Sequence, residues 1–112
     1  MARFDVRANL HRATRTRVPY LLELQANMLS ALDTCLVAPL VPAAEFGPAA
    51  TRLNPVLRIG NRKFVMDTPL TAGVPRKLLG ERVVSLADRS VEIVAAVDFL
   101  VAEFAQARIQ VD

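Results

Sequence analysis

The sequence contains no tryptophan, one cysteine and one histidine in its 112 residues. A single cysteine, Cys35, excludes an internal disulfide, and it lies in an apolar run where a free thiol usually packs as a small core side chain. His11 lies among small polar residues and is predicted to be a solvated loop residue rather than a base or a ligand. We find no metal-ligand cluster, glycine-rich phosphate loop or nucleophile–base pair, and therefore expect no catalytic residue, metal or cofactor.

Long hydrophobic runs are also missing. No charge-free apolar run approaches the roughly 20 residues that a membrane helix needs, and the first residues lack the apolar stretch of a signal peptide. We therefore expect a cytoplasmic protein without membrane contact. The length predicts a single domain spanning residues 1–112. Hydrophobic residues make up 53% of this small chain, which favours some apolar surface that faces a partner subunit.

Charge is distributed unevenly along the chain, although the net charge is only +3. Residues 1–20 hold five Arg and one Asp, whereas residues 81–112 hold three Arg and six acidic residues. The basic start is compatible with an acidic partner or nucleic acid near the N-terminus. A solvated arginine-rich loop at Asn9–Arg17 is the interpretation that we favour for the same charges.

The longest periodic segment runs from Ser85 to Ala107 and predicts an α-helix. Ser85 suits an N-cap that accepts from the backbone N–H of residue 88, and Asp88 and Glu92 place negative charge near the positive end of the helix dipole. The helical period groups six apolar residues on one face: Ile93, Val94, Val97, Leu100, Val101 and Phe104. We expect this face to close the core, with Phe99 inside the opposite, polar stripe.

The remaining segments predict strands separated by turn residues, without a βαβ pattern. Their apolar patterns predict strands at residues 3–8, 18–25, 34–41, 55–59, 62–67 and 81–84, with a short strand at Leu70–Thr71. Gly60–Asn61 predicts a tight hairpin turn, and residues 43–54 predict a loop or one helical turn. Leu21 gives the second strand an apolar outer side, so we expect that strand to be covered on both faces. Strands followed by one helix predict an α+β domain with a curled, mainly antiparallel sheet in residues 1–84.

Six short segments carry a further signal: Tyr20–Asn27, Leu36–Leu40, Asn54–Gly60, Phe64–Met66, Thr71–Pro75 and Glu92–Leu100. Each is weak alone. In this order, and at compatible spacing from about Phe4 to Phe104, they resemble the CcdB family of toxins from bacterial toxin–antitoxin modules.

The resemblance implies an SH3-like, partly open β-barrel with a C-terminal helix, assembled as a homodimer. CcdB-family toxins are not enzymes. The dimer binds the A subunit of DNA gyrase and stabilises the cleaved-DNA intermediate, without sequence-specific binding of nucleic acid by the toxin. A CcdA-like antitoxin wraps the toxin with a flexible segment and removes it from gyrase. The arginines expected to contact that antitoxin are Arg7, Arg12, Arg15 and Arg17.

The gyrase-binding positions of the family transfer to this chain with changes. The expected gyrase-binding surface comprises Met28, Leu29, Asp98, Phe99, Ala102, Glu103 and Phe104. Asp98 stands where the family has Asn, and Ala102 and Glu103 stand where it has Trp and Gly. A buried aromatic is a typical hot spot of an interface, and here it is replaced by a methyl group. Residues 105–112 run beyond the usual family end and are expected to lengthen the helix by about two turns.

Two alternatives remain open at this point. MazF-like endoribonucleases share the implied fold, but their N-terminal Gly-Asp-Ile/Val-Trp segment has no counterpart here. The departures at Ala102 and Glu103 are also compatible with a same-fold toxin, or a non-toxic interaction protein, that has a different target.

Overall fold

The computed structural model describes residues 3–25 and 31–111, with the side chains of residues 3–25 and 31–102. Seven strands and two helices follow one another as β1 (Asp5–Asn9), β2 (Tyr20–Glu23), β3 (Thr34–Pro42), α1 (Ala43–Phe46), β4 (Val56–Ile59), β5 (Arg62–Met66), β6 (Ala72–Pro75), β7 (Leu79–Ser85) and α2 (Ser90–Val111). Short 3₁₀ turns precede β6, β7 and α2. Among these elements, no helix is long and apolar enough to cross a membrane.

Strand β3 lies at the centre of an antiparallel sheet with the order β4-β5-β3-β2-β1-β7. One edge of β3 pairs with β2. Its other edge pairs with β6 along residues 34–37 and with β5 along residues 40–42. The sheet curls into a half-barrel with α2 packed on it. This architecture confirms the predicted α+β fold with a mainly antiparallel, partly open barrel and a C-terminal helix.

The main core lies between the concave face of the sheet and α2. This inner cluster consists of Phe4, Val6, Leu22, Leu24, Ala38, Leu40, Leu57, Phe64, Met66, Leu86 and Ile93. Tyr20 packs against it with its ring 5.2 Å from that of Phe64, edge to face. Ile93 is fully buried, so the first turns of α2 close the core as the sequence predicts.

A smaller core lies on the opposite, outer face of the sheet. This outer cluster contains Leu21, Cys35 and Val37, with Val18, Val74 and Leu79 packed around it. Its members come from β2, β3, β6 and the first residue of β7, with Val18 from the segment before β2. Strand β2 is therefore covered on both faces, which confirms the expectation drawn from Leu21.

The β4–β5 hairpin forms as its turn residues predict. Gly60 has a φ of +61°, a conformation that glycine adopts without steric cost, and Ile59 faces Arg62 directly across the turn. The expected single helical turn within residues 43–54 is α1.

Three details of the prediction are wrong. The short strand lies at Ala72–Pro75 rather than Leu70–Thr71, because Pro69 sits in a 3₁₀ turn at Thr68–Leu70. Helix α2 begins at Ser90 rather than directly after Ser85. The tighter 3₁₀ turn at Ala87–Arg89 comes first, and the Ser85 hydroxyl accepts from the N–H of Ala87 at 3.2 Å instead of from residue 88.

Burial along α2 also differs from the helical-wheel expectation. Ile93 and Ala96 are fully buried, whereas Val101, which the helical period predicts to face the core, is 61% exposed. At 1.5 Å per residue a helix of 22 residues is about 33 Å long, and the small sheet covers its first turns only. The helical backbone continues to Val111.

The packing of α2 generates a stability prediction. Ile93→Ala removes buried methyl and methylene groups and leaves a cavity, and we expect it to lower the free energy of unfolding by about 2–5 kcal/mol. Val91 lies on the same helix but is 84% exposed, so Val91→Ala is the matched control with an expected change of less than about 0.5 kcal/mol. Urea unfolding followed by circular dichroism measures both. Equal effects of the two substitutions would contradict the assigned helix orientation.

Candidate functional site

A shallow groove runs along α2 where the helix meets the start of β1. It consists of two adjoining depressions of about 420 and 180 Å³ that share Arg3, Phe4, Val94 and Asp98. Leu24 and Leu36 line the smaller depression. We call this surface the helix groove. Its lining combines apolar side chains with the cation of Arg3 and the carboxylate of Asp98, and an apolar centre with polar residues around it is typical of a protein-binding surface.

Phe4 holds the groove in place. Its N–H donates to the carbonyl of Glu23 at 2.7 Å, and its carbonyl accepts from the N–H of Leu86 at 2.8 Å. The start of the chain is thereby tied to both β2 and the segment that leads into α2. The Phe4 ring is buried, its φ is +70°, and the guanidinium of Arg3 lies 4.7 Å from the ring centroid.

The expected gyrase-binding residues do not all lie together. Asp98 is exposed within the helix groove, and Ala102 is exposed one turn further along the helix. Phe99 is half-buried, and the guanidinium of Arg52 lies 4.6 Å from its ring centroid. Successive helical residues project about 100° apart, so Phe99 faces the segment before β4 rather than the groove. Met28 and Leu29, and the side chains of Glu103 and Phe104, lie outside the described residues.

The second surface is the segment between β1 and β2, residues 10–18, which we call the basic loop. Arg12, Arg15 and Arg17 are exposed on it. Asn9, at the end of β1, is buried and fixes the loop from beneath. Its Nδ2 donates to the Thr14 hydroxyl at 3.0 Å and to the Val18 carbonyl at 2.8 Å, while its Oδ1 accepts from the N–H of His11 at 3.0 Å.

A cavity of about 340 Å³ lies between the basic loop and β6, on the outer face of the sheet. Its lining is mostly apolar: Val18, Leu21, Val37, Pro39, Leu70, Ala72, Val74 and Leu78, with Asn9, His11 and Thr14 on the loop side. The volume is sufficient for a large side chain of a partner. The basic loop thus places a cationic surface directly beside an apolar pocket.

Arg7 lies in the sheet rather than on the basic loop. Its Nε donates to a carboxylate oxygen of Glu23 at 3.1 Å, and its Nη1 donates to the Gly80 carbonyl at 3.3 Å. The other carboxylate oxygen of Glu23 accepts from the Cys35 thiol at 3.4 Å. Glu23 and Cys35 are both buried. Burial, reinforced by the negative charge of Glu23, raises the pKa of the Cys35 thiol to about 11.

Asn9 and Glu23 are site-forming residues that the sequence interpretation did not single out. An Asn at a strand end, before a loop, is a recognisable signal because its side chain can bond the following backbone. Glu23 gave no such signal. Its pairing with Arg7 depends on the register of β1 against β2, which places Arg7 opposite Leu21 and beside Glu23. Among the residues that the structure describes, no three His, Cys, Asp or Glu side chains are grouped to hold a metal ion.

The Cys35 thiol generates a pH prediction. Its pKa is raised from 9.0 to about 11 in the folded protein, so folding favours the neutral thiol. The corresponding stability is complete below pH 9 and is lost as the pH rises toward 11. We expect the stability of the wild type to fall more steeply over this range than that of Cys35→Ala. Urea unfolding at several pH values measures the difference, and parallel pH profiles would contradict the buried environment of the thiol.

Comparison with known proteins adds one finding. No curated protein matches the chain. The family model described as CcdB protein matches residues 3–102. The match begins at the start of the helix groove and ends at Ala102 on α2, so it contains both surfaces described above and leaves out the end of the helix. On the strength of this match, the chain belongs to the CcdB family.

Proposed function

We propose that this protein is the toxin of a type II toxin–antitoxin module. In this proposal a homodimer binds the A subunit of DNA gyrase and traps the cleaved-DNA complex, and a cognate CcdA-like antitoxin neutralises it. The action is inhibition by binding rather than catalysis. The match of residues 3–102 to the CcdB family is the observation that carries the proposal.

The helix groove supports the assignment of a gyrase-binding surface. It exposes Asp98, and its floor includes Leu24 from the end of β2. Met28 and Leu29, the expected apolar pair, follow Leu24 by four and five residues in the sequence. Asp98 also lines the groove together with Arg3 and Phe4. A binding partner would therefore meet charged and apolar side chains in one place.

Exposed apolar side chains support self-association. Leu36, Val83, Val91 and Val101 are between 39% and 84% exposed, and they come from β3, β7 and α2. Burial of apolar surface contributes roughly 25 cal/mol per Å². A second copy of the chain that covers part of this surface would gain stability from it.

The gyrase target generates a direct test. Purified toxin is incubated with gyrase from its own host, supercoiled plasmid and ATP, and the reaction is stopped with detergent and protease. We expect linear DNA to accumulate with dose. Asp98→Lys reverses the charge in the helix groove, and we expect it to raise the required toxin concentration about tenfold, which corresponds to about 1.4 kcal/mol of binding.

Glu81→Lys is the control for this test because Glu81 is also exposed but lies on β7, away from the groove. It makes the same change in net charge and is expected to leave the dose unchanged. If a folded wild-type dimer neither produces linear DNA nor inhibits supercoiling, gyrase is not the target, and the fold serves another partner. Equal losses in both variants would indicate that net charge, rather than the groove, controls binding.

The basic loop and its cavity support the assignment of the antitoxin contact. Arg12 and Arg15 project into solvent, where they suit acidic side chains. The neighbouring cavity suits an apolar side chain of the same segment. A disordered antitoxin segment gains affinity by covering a large surface of mixed character. The Asn9 hydrogen bonds hold the loop in position before the partner arrives, which reduces the entropic cost of binding.

Reversal of the loop charges tests this contact. Arg12→Glu with Arg15→Glu is expected to weaken capture of the cognate antitoxin at least about tenfold at low salt, and less at high salt because exposed charges are screened. Isothermal titration calorimetry at two salt concentrations measures the effect. Arg58→Glu with Arg62→Glu, on the β4–β5 hairpin, is the equal-charge control. An unchanged affinity of the loop variant at low salt would remove the antitoxin role from the loop.

A further inference from the structure

The end of the β4–β5 hairpin carries three cations that the functions above do not use. Arg58, Arg62 and Lys63 are exposed on either side of the Gly60–Asn61 turn. None of the three forms an ion pair with a residue whose side chain the structure describes. Arg7, Arg82 and Arg89, by contrast, each pair with a carboxylate. The hairpin end is therefore a concentrated positive charge directed at solvent.

The arrangement of these cations is unfavourable for the isolated protein. Arg58 lies directly opposite Lys63 in the hairpin register, and like charges directly opposite each other on neighbouring strands are destabilising. The register cannot slip easily, because Leu57 and Phe64 form the next pair away from the turn and are both buried in the inner cluster. An anionic ligand would relieve this repulsion.

The cations also lie on both faces of the hairpin. Successive residues of a strand point to opposite faces, so Arg58 and Lys63 share one face, and Arg62 shares the other with Phe64. The Arg62 guanidinium lies 5.1 Å from the centroid of the Phe64 ring, a contact that restrains its direction. The hairpin end is thus a narrow two-stranded ribbon with positive charge on each side.

We propose that the end of the β4–β5 hairpin binds the phosphate backbone of duplex DNA by entering a groove. The major groove of B-DNA is about 12 Å wide and admits a two-stranded β-ribbon. A ribbon inside it has one phosphodiester strand on each side, which matches cations on two faces. Contacts of this kind fix position and orientation but carry no sequence information, so the binding is not sequence-specific. This inference goes beyond the proposed function and does not depend on gyrase as the target.

An acidic peptide fits the hairpin end less well than DNA does. A peptide that lies against a protein meets one face of a ribbon, and its affinity depends on apolar side chains seated in pockets. The cavity described above lies beside the basic loop and is not lined by the turn residues Gly60 and Asn61. Asn61 can also donate from its side-chain amide, as Asn commonly does to phosphate oxygens.

Fluorescence anisotropy of a short, labelled, mixed-sequence duplex tests the inference. The full chain is titrated at several salt concentrations between about 50 and 200 mM NaCl, and the slope of log K against log salt is measured. Each lost phosphate contact reduces the magnitude of this slope by about 0.9. We therefore expect Arg58→Gln with Arg62→Gln and Lys63→Gln to reduce it by about 2 to 3 and to weaken binding at least about tenfold at the lowest salt.

The basic loop provides the matched control. The variant that combines Arg12→Gln, Arg15→Gln and Arg17→Gln also removes three positive charges, but from another exposed segment. We expect it to change the salt slope by less than about 1. A cooperative thermal unfolding transition near that of the wild type checks the fold of both variants. The single change Lys63→Gln, with an expected slope change of about 1, provides an independent test on a nearly intact protein.

Three results would overturn the inference. Equal weakening by the hairpin and loop variants would mean that the duplex responds to net charge alone. Poly-glutamate that displaces the hairpin-dependent binding as effectively as unlabelled duplex of the same charge would mean that the hairpin recognises acidic chains in general. Absence of binding by the folded wild type at the lowest salt would exclude a DNA contact of the isolated toxin. The inference is supported if the hairpin variant loses affinity for the duplex and if unlabelled duplex displaces the label more effectively than poly-glutamate does.

Discussion

The pairing of β3 along both of its edges determines where each functional surface lies. Its first half pairs with β6, which forms one wall of the outer cavity, and its second half pairs with β5, which carries the cationic hairpin. Its other edge pairs with β2, whose two ends lead to the basic loop and to the helix groove. β2 and β5 therefore lie on opposite edges of β3. Three surfaces of different chemistry are therefore held in fixed relation by one strand.

The two faces of the sheet differ in the side chains that they bury. The inner face is apolar and is closed by α2. The outer face joins an apolar half, with Leu21 and Val37, to a polar half in which Glu23 accepts hydrogen bonds from Arg7 and Cys35. A buried carboxylate is costly unless it is paired, and both of its oxygens have partners here. This pairing gives Arg7 a structural role in the sheet, whereas Arg12, Arg15 and Arg17 are the exposed members of the set expected to contact the antitoxin.

Features of the fold that depend on neighbouring residues were predicted better from the sequence than features that depend on tertiary contacts. The Gly60–Asn61 turn, the helical turn at Ala43–Phe46 and the existence of α2 depend on neighbouring residues, and all three are present. The prediction failed where a distant element decides the outcome. Val101 has the helical spacing of a core residue, yet the sheet ends before it.

The candidate site was also predictable from the sequence only in part. Arginines between β1 and β2 are visible in the sequence, and so are the residues that resemble the gyrase-binding positions of the family. The cavity beneath the loop is not visible, because it is formed by residues from β2, β3 and the segment around β6 that are far apart in the chain. The contact between Phe99 and Arg52 was hidden for the same reason. A helical wheel places Phe99 on a polar stripe but does not show which loop crosses that stripe.

Phe4 is a position where the backbone conformation and the packing of the core favour different residues. A side chain larger than hydrogen at positive φ costs roughly 1–3 kcal/mol of backbone strain, which glycine would relieve. The same residue contributes a buried ring to the inner cluster, and loss of a buried Phe side chain typically costs about 3–5 kcal/mol. No single substitution serves both the backbone and the core at this position. Selection for greater stability would therefore leave the strained residue in place and accumulate its gains elsewhere in the chain.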